Sequence, residues 1–557
     1  MNPDSPTDTI NGFDSTSGSR LPHEEILDEV HWHQAISSWR DTLGSEAVIE
    51  DVASLEKAGE TAIPRAHCPG AILQPKTVDQ ISRCLKIAHQ FELPLYPISR
   101  GKNWGYGTAS PATAGQVQMD LSQMDRILEI NEELGYAVIE PGVSQGQLAQ
   151  ALKQRGSGLM LDVTGAGPDA SIVGNTLERG FGHTPLGDHF QHSCGMQVVL
   201  PTGEVIETGF GGFENAQAKH VFPWGLGPWI DGLFSQSNLG VVTRMTVWLM
   251  RRPERIEAFA IRLQDEERLP GLIDVLRDLR MRGVLHSSIH VANDLRVISA
   301  LRGCPGQNTE NRRPLSTEQR QELCRETATG CWNVLGAIYG DPRQVAWVRK
   351  EIRRHLGKFD RPVFFDERKI RRWETIGRWL GGLKVAQKHL AKLASARSAL
   401  DLVSGIPTAE HLRGAFWRNT QPASEIKDPA SAGLIWISPV IPMVGEHSKK
   451  LRAIVEPTLS QFGFDPLVTL TSINQRAMCA VISINYDRGS EEEAKRAESC
   501  YKSLWEQLMN AGYPPYRAGI QSMESLASQH RNQPLLQSIK RAIDPENILA
   551  PGRYISR

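Results

Sequence analysis

The 557-residue chain has no charge excess, no paired cysteines and no long apolar run, and each absence removes a class of function. Its 62 Lys and Arg against 63 Asp and Glu leave a formal net charge of -1, so nothing favours nucleic acid or an anionic membrane surface as a partner. No apolar stretch approaches the length of a membrane span. The eight cysteines, at 68, 84, 194, 304, 324, 331, 479 and 500, are scattered without a C-x-x-C pair. That pattern argues against a zinc or other metal site and reads as a reduced, cytoplasmic protein with free thiols. Residues 1–20 are rich in Ser, Thr, Asp and Gly and read as a flexible arm, not a signal peptide. With 40% apolar residues, the chain can bury the cores of two domains or of one interleaved pair.

What is present begins with Pro94-Leu-Tyr-Pro-Ile-Ser-Arg-Gly-Lys-Asn-Trp-Gly-Tyr-Gly107, an apolar strand running into a glycine-spaced loop. Gly101, Gly105 and Gly107 can take backbone angles closed to other residues, so successive amides can converge on an anion. The same pattern also describes an ordinary loop. The spacing matches neither a dinucleotide fingerprint nor a P-loop.

The flanking pattern alternates strands and helices. Pro22 to Ser54 reads as helical, with Trp32, Ile36 and Trp39 as a buried stripe. Strands are expected at 71–75, 93–98, 117–121 and 137–141, and helices at 78–91 and 144–155. Met196 to Thr208 reads as a hairpin about a Pro-Thr-Gly turn. Further on, strands at 331–340, 433–438 and 480–486 are followed by or interleaved with helices to Leu356, from about His447 to Phe462, and from Glu491 to Met509. Two such units suit one antiparallel sheet with helices on one face, an α+β arrangement.

A second glycine-rich region runs from Gly165 to Gly182, and together the two loops could flank a pyrophosphate with an attached ring system. Six segments then carry a resemblance that covers most of the chain. They are Pro97-Ile-Ser-Arg-Gly-Lys-Asn-Trp-Gly-Tyr-Gly107, Glu140-Pro-Gly-Val143, Gly174-Asn-Thr-Leu-Glu-Arg-Gly180, Thr184-Pro-Leu-Gly-Asp-His189, Phe234-Ser-Gln-Ser-Asn-Leu-Gly240 and Asp544-Pro-Glu-Asn-Ile-Leu-Ala-Pro-Gly552. In this order they resemble the vanillyl-alcohol oxidase and p-cresol methylhydroxylase family of FAD enzymes.

The resemblance implies an α+β fold in which a two-subdomain FAD-binding domain of the p-cresol methylhydroxylase type carries an α/β cap with a helix-covered antiparallel sheet. An N-terminal arm and helices (1–65) would precede the FAD domain (66–253). The cap (254–508) and a C-terminal segment returning to the FAD domain (509–557) would follow. Ser99, Arg100, Gly101, Lys102, Asn103, Gly105, Tyr106 and Gly107 would cradle the pyrophosphate. Ser171, Gly174 and Asn175 would lie across from them, with Val241 and Arg553 also against the cofactor. Tyr106, Tyr516 and Arg517 match the groups that bind the phenol oxygen in the family. Two phenolic donors and a permanent cation favour a phenolate, which pushes electron density to the para carbon and eases hydride loss to flavin N5 through a quinone methide. Structural ion-pair and core roles for the same three residues are the alternative.

Two departures bear on the chemistry. The family's flavin-linking His or Tyr would fall near Gln475 to Cys479, yet no His or Tyr occurs from Ser448 to Asn485. Non-covalent FAD is therefore expected, with Cys479, and more remotely His67, as the substitutes if a link exists. The family's catalytic Asp would follow Leu161-Asp-Val163, where this chain has Thr164-Gly165. Asp169 and His183 are the candidate replacements; a neutral imidazole is a competent base near pH 7. Asp169 also suits a turn or cap.

The expected activity is oxidation of a 4-alkylphenol or 4-hydroxybenzyl alcohol, with O2 as the electron acceptor. A cytochrome or other acceptor, a non-phenolic substrate, or a non-redox ring-closing role are the alternatives. A homodimer or larger assembly is expected from the family. Between Arg368 and Arg397, nine Lys or Arg face a single Glu374 in an amphipathic pattern. It reads as a solvated helix pair or subunit interface, with an acidic partner or membrane surface as the other reading.

Overall fold

The computed structural model describes residues 29–305, 313–379, 384–418 and 428–556. The first helix, Glu29–Leu43, buries Trp32, Ala35, Ile36 and Trp39. It is shorter than the continuous helix expected over 22–54. Gly44, at φ +90°, ends it, and a 3-10 turn, a two-residue strand and the separate helix Val52–Gly59 follow. Residues 22–28 of that expectation lie outside the described residues.

Three sheets position the site. The first has the order Val48–Ile49, Ile72–Leu73, Val117–Asp120, Leu95–Ile98, with the last three strands parallel. Its free edge is closed by the chain's end, where Leu95 N–H donates to Ile548 O and Ala550 N–H to Leu95 O, both at 2.7 Å. The second sheet is antiparallel, in the order Ile127–Asn131, Tyr136–Ile139, Val241–Trp248, Ser193–Val199, Val205–Glu207.

The third is an eight-stranded antiparallel sheet. Its main path runs Val363–Phe365, Arg255–Leu263, Trp332–Gly340, His290–Asn293, Leu467–Ser472, Ala477–Tyr486, Gly433–Ile437; Val440–Pro442 pairs alongside Ala477–Tyr486. Period-two alternation divides its residues between two faces. Val291, Val468, Leu470, Ala480, Ile482, Ile435 and Ile437 belong to a large apolar core. That core also takes the buried stripes of Leu269–Met281, Pro342–Leu356, Gly445–Gln461 and Glu491–Asn510. Their strand neighbours His290, Ala292, Thr469, Thr471, Val481, Ser483, Leu434 and Trp436 line a cavity instead. One face of the sheet thus holds these four helices and the other faces the site. Among the described residues, no helix is long and apolar enough to cross a membrane.

Candidate active site

The cavity, of about 870 Å³, is walled by the loop after Leu95–Ile98, by residues 164–183 and by the open face of the eight-stranded sheet. Strand Leu95–Ile98 delivers residues Ser99 to Trp104 to its wall. The backbone N–H groups from Arg100 to Trp104 donate to no acceptor among the described residues. Several adjacent unpaired amides at a concave surface form an anion nest. The side chains hold this loop open. Arg100 Nε donates to Asp169 O (2.9 Å) and Nη1 to Gly142 O (3.1 Å), tying the first loop to the second. Lys102 Nζ and Trp104 Nε1 both donate to Asp428, at 2.5 and 3.0 Å.

Opposite lie Ser171, Gly174 and Asn175. A Cβ on Gly174 would stand 2.9 Å from Ser99 Oγ, so a side chain there would narrow the gap between the two walls. The donor nest, that narrow gap and Trp436 Nε1, buried without a partner among the described residues, are groups that would hold a dinucleotide cofactor. Val241 and Arg553 also line the cavity. Gly105 and Gly107 do not, contrary to their expected place at the phosphates. A Cβ on Gly105 would fall 2.1 Å from Trp436 Cδ1, and one on Gly107 2.9 Å from Ile520 Cγ1. Their freedom, at φ +69° and +121°, serves close packing of the loop on its neighbours.

Tyr106, Tyr516 and Arg517 come together at one end. Arg517 lies with its guanidinium 4.1 Å from the centre of the Tyr106 ring and 6.0 Å from that of Tyr516. Its Nη2 donates to Asn103 Oδ1, and Glu178 Oε2 is 3.5 Å away. Tyr106 Oη pairs with Ser438 Oγ at 2.7 Å. Burial drives Tyr106 well above the ordinary tyrosine value and Tyr516 up to about 12, with Arg517 opposing both. Both hydroxyls therefore stay protonated near neutral pH and can donate.

Glu178 is shared. Arg553 Nη2 (2.7 Å) and Tyr554 Oη (2.6 Å) donate to it as well. Burial would raise its pKa, but Arg553 and Arg517 outweigh that and hold it below the usual carboxylate range. Two guanidiniums against one carboxylate leave one positive charge for an anionic ligand.

His183 also lines the cavity. Its Nδ1 is buried without a partner among the described residues, and its ring stands 4.4 Å from that of His290. Burial, then His290, push its pKa well below the ordinary value, so the imidazole is neutral and able to accept. Asp162 fixes its backbone. Oδ1 accepts from the N–H groups of His183 (3.0 Å) and Thr184 (2.7 Å), and Oδ2 meets His189 Nε2 at 2.8 Å.

Three further expected residues are elsewhere. Asp169 is exposed and off the cavity wall, because Arg100 holds its carbonyl while its side chain faces solvent. Cys479 is fully buried and off the wall, its thiol directed to Ser438 O at 3.7 Å and kept protonated chiefly by burial. His67 is also off the wall, its N–H bonded to Ser110 Oγ. Sequence reasoning missed Ser438, Trp436, His290, His411 and Arg296 as wall residues. Glu178 lay within a quoted motif without a role. Strand alternation from Leu434 could have flagged Trp436 and Ser438.

Residues 69–209 match the FAD binding domain family. The chain is 38% identical over 526 residues, 94% of its length and 97% of the relative's, to 1'-carboxy-chondrochloren decarboxylase of Chondromyces crocatus. It is 32% identical over 530 residues, 94% and 95% of the two chains, to the 4-cresol dehydrogenase [hydroxylating] flavoprotein subunit of Pseudomonas putida. The 4-ethylphenol oxidase of Gulosibacter chungangensis, solved as an isoeugenol complex, superposes with a TM-score of 0.86 at 29% identity, over 96% of this chain and 98% of that one.

Proposed function

The chain belongs to the p-cresol methylhydroxylase family of FAD-dependent oxidoreductases, and on that footing we propose that it oxidises a para-substituted phenol. The convergence of Tyr106, Tyr516 and Arg517 at one end of the cavity carries this reading. Bound FAD, held without a covalent link, would supply the hydride acceptor. The protein's part is to orient and charge the substrate. The two tyrosine hydroxyls donate to the phenolic oxygen, and the charge left over from Arg517, Arg553 and Glu178 favours its anionic form. Ser438 fixes the Tyr106 hydroxyl. His183, neutral and facing the cavity, is our candidate base toward the para substituent.

Oxygen is the proposed acceptor, in keeping with the relative named as a 4-ethylphenol oxidase. A protein acceptor is the second reading, supported by the relative named as a flavoprotein subunit. The relative named for decarboxylating a 1'-carboxy compound adds carboxylated phenols to the substrates worth testing.

The test is the absorbance spectrum before and after acid precipitation, then anaerobic mixing with 4-alkylphenols, 4-hydroxybenzyl alcohols and carboxylated analogues. A yellow supernatant and bleaching by a phenol are expected, with oxygen uptake on admitting air. A yellow pellet would reject the non-covalent cofactor. Flavin that no phenol reduces would reject phenol oxidation.

A further inference from the structure

Arg296 sits in the first turn of the helix Asp294–Leu301, whose N-cap Asn293 accepts its backbone N–H at 3.0 Å. Its side chain enters the cavity. There the guanidinium lies 5.9 Å from the centre of the Trp436 ring, and a Cβ on Gly414 would stand 2.6 Å from its Nη1. The guanidinium makes no hydrogen bond or ion pair with any described residue. Burial pulls its pKa down, and no acidic group among the described residues opposes that pull. An enclosed cation without a counter-ion is unfavourable, and an anionic ligand would offset that cost.

The cavity offers no internal candidate for that anion. Among the described residues Glu178 is the one carboxylate on its wall, and Arg553, Arg517 and Tyr554 already hold it. His411 feels the charge of Arg296 and in turn acts on His183 and His290. His183 Nδ1 and His290 Nε2 are buried without partners among the described residues. Trp436 links the two ends, its ring 6.4 Å from that of Tyr106 on one side and 5.9 Å from Arg296 on the other.

We propose that Arg296, with the neighbouring imidazole of His411, forms an anion subsite that takes a carboxylate borne on the para substituent of the phenol. The planar guanidinium suits a carboxylate as a bidentate partner. The phenolic oxygen would rest on Tyr106, Tyr516 and Arg517 while the acid reaches past Trp436 to Arg296. This deepens the phenol reading and, for the substrate's identity, rests on it.

Calorimetry on the oxidised, FAD-loaded protein tests it with 4-hydroxycinnamate, its neutral amide 4-hydroxycinnamamide, and cinnamate, which lacks the hydroxyl. None has a saturated carbon beside the ring to oxidise, so binding is read without turnover. The wild type is expected to bind 4-hydroxycinnamate at least about tenfold more tightly than the amide. Arg296→Leu should weaken the acid by on the order of 30-fold or more and spare the amide. Arg296→Lys should keep part of the preference. Equal binding of acid and amide by the wild type would overturn the proposal, as would an Arg296→Leu variant that weakens both alike. So would a variant whose acid preference persists while its flavin midpoint potential shifts, since the guanidinium would then serve the cofactor. Arg296-dependent binding of cinnamate, unaided by the hydroxyl, would keep the anion subsite and discard the phenol end. Failure of all three ligands to bind would overturn both.

Discussion

The Arg517 guanidinium lies over the Tyr106 ring, 4.1 Å from its centre, while Glu178 stands 3.5 Å from its Nη2. One arginine thus packs a tyrosine, pairs with a shared carboxylate and presents charge to the cavity. Arg517→Ala should lower kcat/KM for a phenolic substrate by about 10²- to 10³-fold, the scale of losing one preorganised charge. Arg517→Lys should recover only part, because an ammonium cannot match the planar fork. Steady-state kinetics with flavin content measured in parallel separates this from cofactor loss.

Tyr106 and Ser438 offer a subtler test. Their hydroxyls meet at 2.7 Å, and Tyr106 comes from the loop while Ser438 follows a strand of the large sheet. Tyr106→Phe should cost about ten- to a hundredfold in kcat/KM, the effect of removing a hydrogen bond to a charged group. Ser438→Ala should cost less, and the double variant should resemble Tyr106→Phe alone. Full additivity in this cycle would mean that Ser438 does not act through Tyr106.

The sequence made some parts of this site legible and hid others for physical reasons. Local signals worked where a residue's neighbours in sequence fix its place. Strand Leu95–Ile98 leads its loop to the cavity, and Ser144 and Ser171 cap the helices that follow them. Asp169 and Cys479 lie off the cavity wall because their place depends on distant groups. Arg100 turns the loop of Asp169 outward, and Ser438 lies over the thiol of Cys479. Gly105 shows the ambiguity of glycine spacing, since the reason for its missing side chain is Trp436, more than three hundred residues away in sequence. Arg296 was invisible for the same reason: a lone arginine in an amphipathic helix normally faces solvent.

The histidines predict an acid-labile fold. Burial lowers His290 and His411 to about 4 and His183 well below its ordinary value. Unfolded histidine titrates near 6.5, so between about 6.5 and 4 the unfolded chain binds more protons than the folded one. Stability therefore falls as pH drops through that window, by up to about 1.4 kcal/mol per pH unit for each histidine. Glu178, whose folded pKa is depressed, contributes stability that is lost only at lower pH, as its carboxylate protonates. Denaturant unfolding at saturating FAD should show the slope between pH 6.5 and 4, and His411→Asn should flatten it. A slope unchanged in the variant would mean that His411 does not titrate differently on folding.

Gly105 decides between the two readings of the glycine-spaced loop. Its φ of +69° costs another residue about 1–2 kcal/mol, and its added Cβ would have to displace the Trp436 ring from 2.1 Å. Gly105→Ala should therefore weaken the seating of the loop on the large sheet, lowering the melting temperature and loosening FAD, followed as flavin fluorescence released on dilution. Gly101→Ala is the comparison. It lies on the cavity wall itself at φ +62°, with Ala109 Cβ 2.8 Å from the new methyl. Adding Trp436→Ala should relieve the steric part of the Gly105→Ala defect and leave its backbone strain, so the double variant should be less impaired than the two single effects summed. The same second change should give Gly101→Ala no relief, because its clash lies with Ala109. Equal rescue of both by Trp436→Ala would show that the indole supports the loop generally and that Gly105 is not its specific contact.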